Sequence, residues 1–232
     1  MSRPEKKSSA RAAILERTRA SLGVRAGDAA RASIVAARLG NPARNTIPGR
    51  AKGDAKRLRS FFTAQLEKAQ ASVVGIPSLD ALPGAVTEYL KLHNLPQALR
   101  MGDDEILAKA DWSKAPHLER AFGPAAETDA VGLAATFAGI AETGTLMLVS
   151  GAANPTTNNF LPETHIVVVP GSRLLGSYED GWDALRASRG KGAMPRTVNY
   201  VSGPSRTGDI EQKILLGAHG PRRLHVIIVD DI

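Results

Sequence analysis

The chain has 232 residues, a formal net charge of +7 and no cysteine. This length suits one α/β domain with an appendage, and the lack of cysteine excludes disulfides, thiolate metal sites and iron–sulfur clusters held by this chain's own sulfurs. Because no apolar run approaches the roughly 20 residues that span a bilayer and the N-terminus lacks the apolar core of a signal peptide, we expect a soluble, cytoplasmic protein.

The positive charge is concentrated at the N-terminal end. Residues 1–59 contain 15 of the 30 Lys and Arg residues but only 4 of the 23 Asp and Glu residues. Apolar spacing predicts two amphipathic helices there, one ending at Gly23 and one beginning at Asp28, followed by a Pro- and Gly-rich linker. We therefore predict a basic helical arm with its linker over residues 1–52 and an α/β domain over residues 53–232.

The basic arm allows two interpretations. A run of arginines on a flexible segment is typical of binding to nucleic-acid phosphates. However, no aromatic residues that could stack on bases lie among these charges. The sequence therefore favours a surface that docks on a partner protein, and nucleic-acid binding is the less favoured alternative.

Helical and strand patterns alternate after the arm. Helical periodicity covers residues 55–72 and 83–95. Short apolar runs predict six strands, SVVGI, QALRM, GTLMLVS, HIVVVP, TVNYVS and HVIIVD. Several of these runs are continuous rather than alternating, which indicates strands buried on both faces in a largely parallel sheet covered by helices. The predicted fold class is therefore a three-layer α/β fold.

Three polar segments adjoin predicted strands, and ligands of open α/β sheets bind at the carboxyl ends of strands. They are GIAETGTLMLVSG, NPTTNNFLPETH and SGPSRTGDIEQKILLGAHGP. An arginine in the third segment can hold a carboxylate or phosphate with its two-donor fork. The candidate site residues in these segments are Glu142, Thr143, Thr145, Asn154, Ser205, Arg206, Asp209 and His219.

Three of these candidates also have a purely structural explanation. Asp209 can cap a short helix that carries Ile210, Ile214 and Leu215, with Glu211 in its first turn. Glu142 and His219 can satisfy backbone groups of their own turns. The other histidines do not cluster at metal-ligand spacing, so no metal site is predicted, and the motifs GxGxxG, GxxxxGK[ST] and GxSxG are absent. Pattern alone thus indicates an α/β protein with an anion-binding cleft.

A family resemblance extends this interpretation. The stretches AETGTLMLVSG, PETHIVVVPGSRLLGSYEDGWDAL and SGPSRTGDIEQKILLGAHGPRRLHVIIVD resemble signature blocks of the lactate-utilisation (LUD) domain family, and RAAILERTRASLG resembles the N-terminal helix of its lactate utilisation protein C branch. The resemblance implies a fold similar to the NagB/RpiA/CoA-transferase-like superfamily. It also implies a role in oxidising L-lactate to pyruvate together with iron–sulfur partner subunits. The absence of cysteine agrees with clusters on other chains and no cofactor on this one.

Lactate oxidation needs a cation for the carboxylate and a base for the hydroxyl proton. We assign the first role to Arg206 and the second to His219 or Asp209, with Ser205, Thr143, Thr145 and Asn154 as further substrate contacts. Two alternatives stay open. The chain can be a non-catalytic anion-binding scaffold, or a CoA-transferase-like or isomerase-like enzyme in which Glu142 is the nucleophile or base.

Overall fold

The computed structural model describes residues 5–190, 192–210 and 213–230. The chain divides into two compact units at Asn45 and Thr46. The first unit contains helices α1 (Glu5–Ser21) and α2 (Ala29–Gly40). The Asp28 carboxylate accepts a hydrogen bond from the backbone N–H of Arg31 at 3.1 Å, as expected for the predicted helix start. Within the described residues, no helix is both long and apolar enough to cross a membrane.

The second unit is a mixed α/β domain. Its helices are α3 (Ala55–Lys68), α4 (Leu82–Leu92), α5 (Glu105–Ala108), α6 (Thr156–Phe160) and α7 (Tyr178–Arg189). Its strands are β1 (Ser72–Ile76), β2 (Ala98–Met101), β3 (Glu119–Phe122), β4 (Val131–Ala135), β5 (Ala138–Ile140), β6 (Thr145–Val149), β7 (Thr164–Pro170), β8 (Leu174–Leu175), β9 (Val198–Val201), β10 (Arg206–Ile210), β11 (Lys213–Leu216) and β12 (Arg223–Val229).

Six strands form a central parallel sheet in the order β1-β12-β7-β4-β2-β3. Strand β7 lies in its interior, and alternate residues of this strand pack into two different cores. Ile166 and Val168 face the core that contains α4, whereas Val167 and Val169 face the core that contains α3. Helices thus flank the sheet, and the predicted three-layer α/β fold is confirmed.

Two predicted strands do not belong to the parallel sheet. The runs GTLMLVS and TVNYVS form β6 and β9, which pair antiparallel in a second sheet of order β8-β5-β6-β9. Leu146 and Leu148 of this sheet share a core with Phe62 and Leu66 of α3, and α7 contributes Leu185 to a further core with the second sheet. A continuous apolar run indicates that a strand is buried on both faces, but it carries no information on strand direction. The sequence therefore could not show that β6 and β9 pair antiparallel in a separate sheet.

The segment after β9 differs more strongly from expectation. Instead of a helix begun by Asp209, it forms the antiparallel hairpin β10–β11. The backbone N–H of Ser205 donates to the carbonyl of Pro221 at 2.8 Å, and the N–H of Gly217 donates to the carbonyl of Ser205 at 3.0 Å, closing the hairpin base. The helix-cap interpretation of Asp209 is therefore wrong. Its side chain and the whole of Glu211 lie outside the described residues.

Candidate functional site

A cleft of about 290 Å³ contains the strongest group of candidate residues. Ser205, Arg206 and His219 line it together, as the sequence predicts. Its position was not predicted, because the cleft lies at the amino ends of β7 and β12, where His165 and Leu224 are register partners and both line the wall. The expected location at carboxyl ends is wrong here, since the preceding strand β9 belongs to the antiparallel sheet.

The loop before β10 is anchored on the end of α3. Gly203 has φ +89°, and a Cβ atom there would lie 2.5 Å from the carbonyl oxygen of Ala69, so a larger residue would not fit. Arg206 donates a guanidinium N–H to the same carbonyl. Within the described part of the chain no carboxylate pairs with Arg206, and its charge is therefore available to an anionic ligand.

Two buried polar residues on the cleft wall were missed by the sequence reasoning. His165 is 0% exposed and Asn159 is 1% exposed. Neither ring nitrogen of His165 and neither amide atom of Asn159 has a hydrogen-bond partner among the described residues. Burial lowers the pKa of His165 to about 3, so its ring is neutral near pH 7.

The unpartnered state of these two side chains has an energetic meaning. A buried polar group without a hydrogen bond costs ~1–3 kcal/mol, and buried polar groups in native proteins are nearly always bonded. Because the described residues offer His165 and Asn159 no partner, both side chains are available to bond a ligand in the cleft. One sequence signal pointed to His165: it begins the continuous apolar run HIVVVP, where a polar residue is out of pattern.

Thr143 and Thr145 lie behind the cleft wall in a cluster of hydroxyl groups. Their Oγ1 atoms are 2.7 Å apart, and both contact the Tyr178 hydroxyl, at 3.0 and 2.9 Å. The Oγ1 of Thr145 also lies 2.5 Å from the Oγ of Ser202, which lines the cleft. The two threonines thus support the wall through Ser202.

Glu142 and Asn154 are not on the cleft wall. Glu142 is buried in the β5–β6 turn, where its backbone N–H donates to the carbonyl of Gly176 at 3.1 Å. Asn154 lines a separate cavity that also contains Ala135, the last residue of β4. The structure therefore divides the predicted set between a cleft, a buried turn and a second cavity.

Comparison with known proteins identifies the domain. The family model of the LUD domain matches residues 56–229. Lactate utilization protein C of Shouchella clausii is 34% identical over 106 residues, 46% of each chain, and that of Geobacillus thermodenitrificans is 36% identical over 108 residues, 46% of this chain and 45% of the relative. The aligned part thus spans about half the length of these curated relatives.

A solved structure supports the fold assignment. A DUF162 family protein from Deinococcus radiodurans superposes with a TM-score of 0.60 and 24% identity, covering 77% of this chain and 99% of that one. This likeness shows the three-layer α/β fold. Because the family match covers most of the α/β unit, including both walls of the cleft, the chain belongs to the LUD domain family.

Proposed function

We propose that the chain is a component of a lactate-utilisation system and that its cleft binds L-lactate or a closely related small carboxylate. The relatives named lactate utilization protein C support the system. The observation that carries the site is that Arg206, His165 and Asn159 line one cleft. Among the described residues, the exposed Arg206 pairs with no carboxylate, and the buried side chains of His165 and Asn159 have no hydrogen-bond partner. A 2-hydroxy acid supplies an anionic carboxylate for Arg206 and hydrogen-bonding groups for His165 and Asn159.

The proposed division of roles follows from charge and burial. The planar fork of Arg206 holds the carboxylate. The neutral His165 ring accepts a hydrogen bond from the substrate hydroxyl, and the Asn159 amide donates to a carboxylate oxygen. A ring with a pKa of about 3 is too weak a base to take the hydroxyl proton near pH 7, so His219, exposed at the rim, and Asp209 stay the candidates for that role.

A role in lactate oxidation needs an electron acceptor. Oxidation of L-lactate to pyruvate releases two electrons and two protons, and this chain has no cysteine to hold an iron–sulfur cluster. We propose that iron–sulfur partner subunits accept the electrons. Purified protein should therefore be colourless and should not oxidise L-lactate with artificial acceptors until those partners are added. Robust turnover by the lone chain would contradict the proposal.

The basic arm is the proposed docking segment for such a partner. Its helices expose apolar side chains, Ile14 at 65%, Ile34 at 52% and Leu39 at 76%. The sequence predicts the arm over residues 1–52, and the first compact unit ends at Asn45. Deleting that unit, residues 1–45, should leave the α/β unit folded and remove partner binding, as seen by circular dichroism and co-purification. Unfolding of the remainder would place the arm in the core.

The acyl-exchange alternative has less support, because Glu142 does not line the cleft. It still has a direct test. Incubation with an acyl-CoA and a free carboxylate would trap a glutamyl thioester at Glu142, detectable by mass spectrometry. A mass shift at that residue would replace the lactate proposal.

The cleft is tested by calorimetric titration of the full chain with L-lactate. Arg206→Lys keeps the charge but loses the fork, and His165→Leu keeps the volume but loses the ring nitrogens; each should weaken binding roughly ten-fold or more. Arg186→Lys is the matched control, since Arg186 pairs with Asp183 at 3.2 Å on the surface of α7. Equal affinity of all variants would refute the site.

A growth assay tests the sequence-predicted residues in the cell. A deletion strain that carries Arg206→Lys, Glu142→Gln or Asp209→Asn is grown on L-lactate.

A further inference from the structure

A second cavity, of about 320 Å³, lies at the carboxyl ends of the parallel strands, whereas the cleft lies at their amino ends. Ala135 at the carboxyl end of β4 and Val149 at the end of β6 form part of its wall, and loop 150–154 forms another part. Open α/β sheets bind their ligands at the carboxyl ends of the parallel strands. The proposed function makes no use of this cavity.

Loop 150–154 places the buried side-chain amide of Asn154 at the cavity wall. Asn154 is 5% exposed, and neither of its amide atoms has a hydrogen-bond partner among the described residues. Its backbone exchanges two hydrogen bonds of 3.2 Å with Gly151. The loop also packs on the end of β2, because a Cβ atom on Gly102 would lie 2.2 Å from the carbonyl oxygen of Ala153. These contacts fix the backbone of the loop, and the described residues leave the Asn154 amide free to bond a ligand.

Two arginines give the cavity its charge. Arg173 is half-buried and donates one guanidinium N–H to the carbonyl of Thr136 at 2.8 Å, which fixes the fork. Arg189 is exposed at the end of α7. In residues 5–190, 192–210 and 213–230, neither arginine has a carboxylate partner. Asp104 also lines the cavity, where its Oδ1 accepts the backbone N–H of Ile106 at 2.8 Å. Its one negative charge is outweighed by the two guanidinium groups, so the lining keeps a net positive charge.

From these contacts we infer that the cavity is a second binding site, for a small molecule with a carboxylate or phosphate group next to a hydroxyl. Arg173 and Arg189 hold the oxyanion, because a guanidinium fork matches either group. The Asn154 amide both donates and accepts, and thus suits the neighbouring hydroxyl. The inference does not depend on lactate binding in the cleft.

The test is a titration of the full, ¹⁵N-labelled chain with inorganic phosphate and, separately, with acetate, followed by backbone amide shifts. We expect saturable shifts of residues 150–154, and the probe with the higher affinity identifies the oxyanion. Arg173→Gln and Arg189→Gln should each weaken binding roughly ten-fold, the loss expected for one charge-assisted hydrogen bond. Arg186→Gln, on the same helix as Arg189, should leave the affinity unchanged. Arg206→Lys should also leave it unchanged, which separates this site from the cleft.

Asn154→Leu provides an independent readout. Leucine matches asparagine in shape and removes the unpartnered amide, so the variant should have a higher melting temperature than the natural chain without ligand and should lose the stabilisation that phosphate or acetate gives. The inference is overturned if neither probe shifts residues 150–154, if Arg186→Gln weakens binding as much as Arg189→Gln, or if Asn154→Leu lowers the melting temperature.

Discussion

Two buried histidines at the same end of the central sheet have opposite environments. His225 of β12 is stacked on Tyr89 with ring centroids 3.9 Å apart, and its Nδ1 lies 2.8 Å from the Oγ of Ser72. His165 of the adjacent strand β7 is more deeply buried, yet neither of its nitrogens has a partner among the described residues. Burial alone therefore does not distinguish the two histidines, whereas their hydrogen-bond partners do, and this contrast supports the proposal that His165 binds a ligand.

A second pair of neighbours repeats this contrast. In α6, Asn158 accepts the backbone N–H of Ala125 at 2.7 Å and donates to the carbonyl of Gly123 at 3.2 Å. Asn159, the next residue, faces the cleft with both amide atoms unpartnered. Identical side chains on one turn of α6 thus differ in their contacts: Asn158 joins α6 to the chain before β4, whereas Asn159 lines the cleft.

The largest expected effect is a difference between two identical substitutions. His225→Leu should destabilise the fold by ~2–3 kcal/mol, because it removes an aromatic stack and a hydrogen bond. His165→Leu should leave the free energy of unfolding within ~1 kcal/mol of the natural value or raise it, because it removes only an unpartnered polar group. Urea unfolding of both variants measures the difference. Equal destabilisation by the two substitutions would show that His165, like His225, has a structural role.

The next effect is on the pH dependence of stability. Burial lowers the pKa of His225 to about 4, with the charge of His93 adding to the effect, and lowers that of His165 to about 3. Below the ordinary value of 6.5 the unfolded chain therefore binds protons that the folded chain does not, and the free energy of unfolding falls as the pH falls.

The slope of this pH dependence can be assigned to each ring. Between pH 6.5 and 4, each histidine should contribute up to ~1.4 kcal/mol per pH unit, and nothing above that range. His165→Leu and His225→Leu should each flatten the curve of unfolding free energy against pH, and the double variant should flatten it most. A double variant with the natural slope would show that other groups cause the acid sensitivity.

The sequence revealed the strands better than the site. Continuous apolar runs predicted β7 and β12, because a strand inside a parallel sheet is buried on both faces. The run SVVGI also predicted β1, although β1 is an edge strand and most of its residues are exposed. The exposed edge strand β3 and the small-residue strand β4 carry no such signal and were missed. Asp209 and the apolar residues after it fit helical spacing, but pairing across the hairpin β10–β11 determined the structure.

The site was only partly predictable for a different reason. Arg206, Ser205 and His219 were found because a charged or polar residue in a Gly-rich loop is visible in the sequence. His165 and Asn159 matter because nothing in the fold satisfies them, and that property exists only once the neighbours of each atom are known. Conversely, Asn154 was grouped with Arg206 as a substrate contact, but the two residues line different cavities, since sequence order does not show which loops meet in space.

A smaller effect is expected from the two asparagines of α6. Asn158→Leu leaves the carbonyl of Gly123 without its amide donor and weakens the bonding of the Ala125 N–H, so it should cost ~1–2 kcal/mol. Asn159→Leu should leave stability unchanged or improve it, and should weaken L-lactate binding. Thermal unfolding and calorimetry separate the two results. A stability loss in Asn159→Leu that matches Asn158→Leu would show that Asn159 has a structural partner.

The smallest expected effects come from removing the hydroxyl groups of two serines. Ser72 contacts His225, and Ser205 lines the cleft together with His165. Ser72→Ala removes the hydrogen bond to His225 but leaves the Tyr89 stack, and because Ser72 is exposed the cost should be only ~0.5–1 kcal/mol. Ser205 lines the cleft, and Ser205→Ala should leave the melting temperature unchanged while it weakens binding of L-lactate a few-fold. A double-mutant cycle of Ser72→Ala with His225→Leu measures the coupling directly. Strictly additive losses would assign the stability of His225 to its aromatic stack alone, and a melting-temperature loss in Ser205→Ala would make that serine part of the fold rather than of the site.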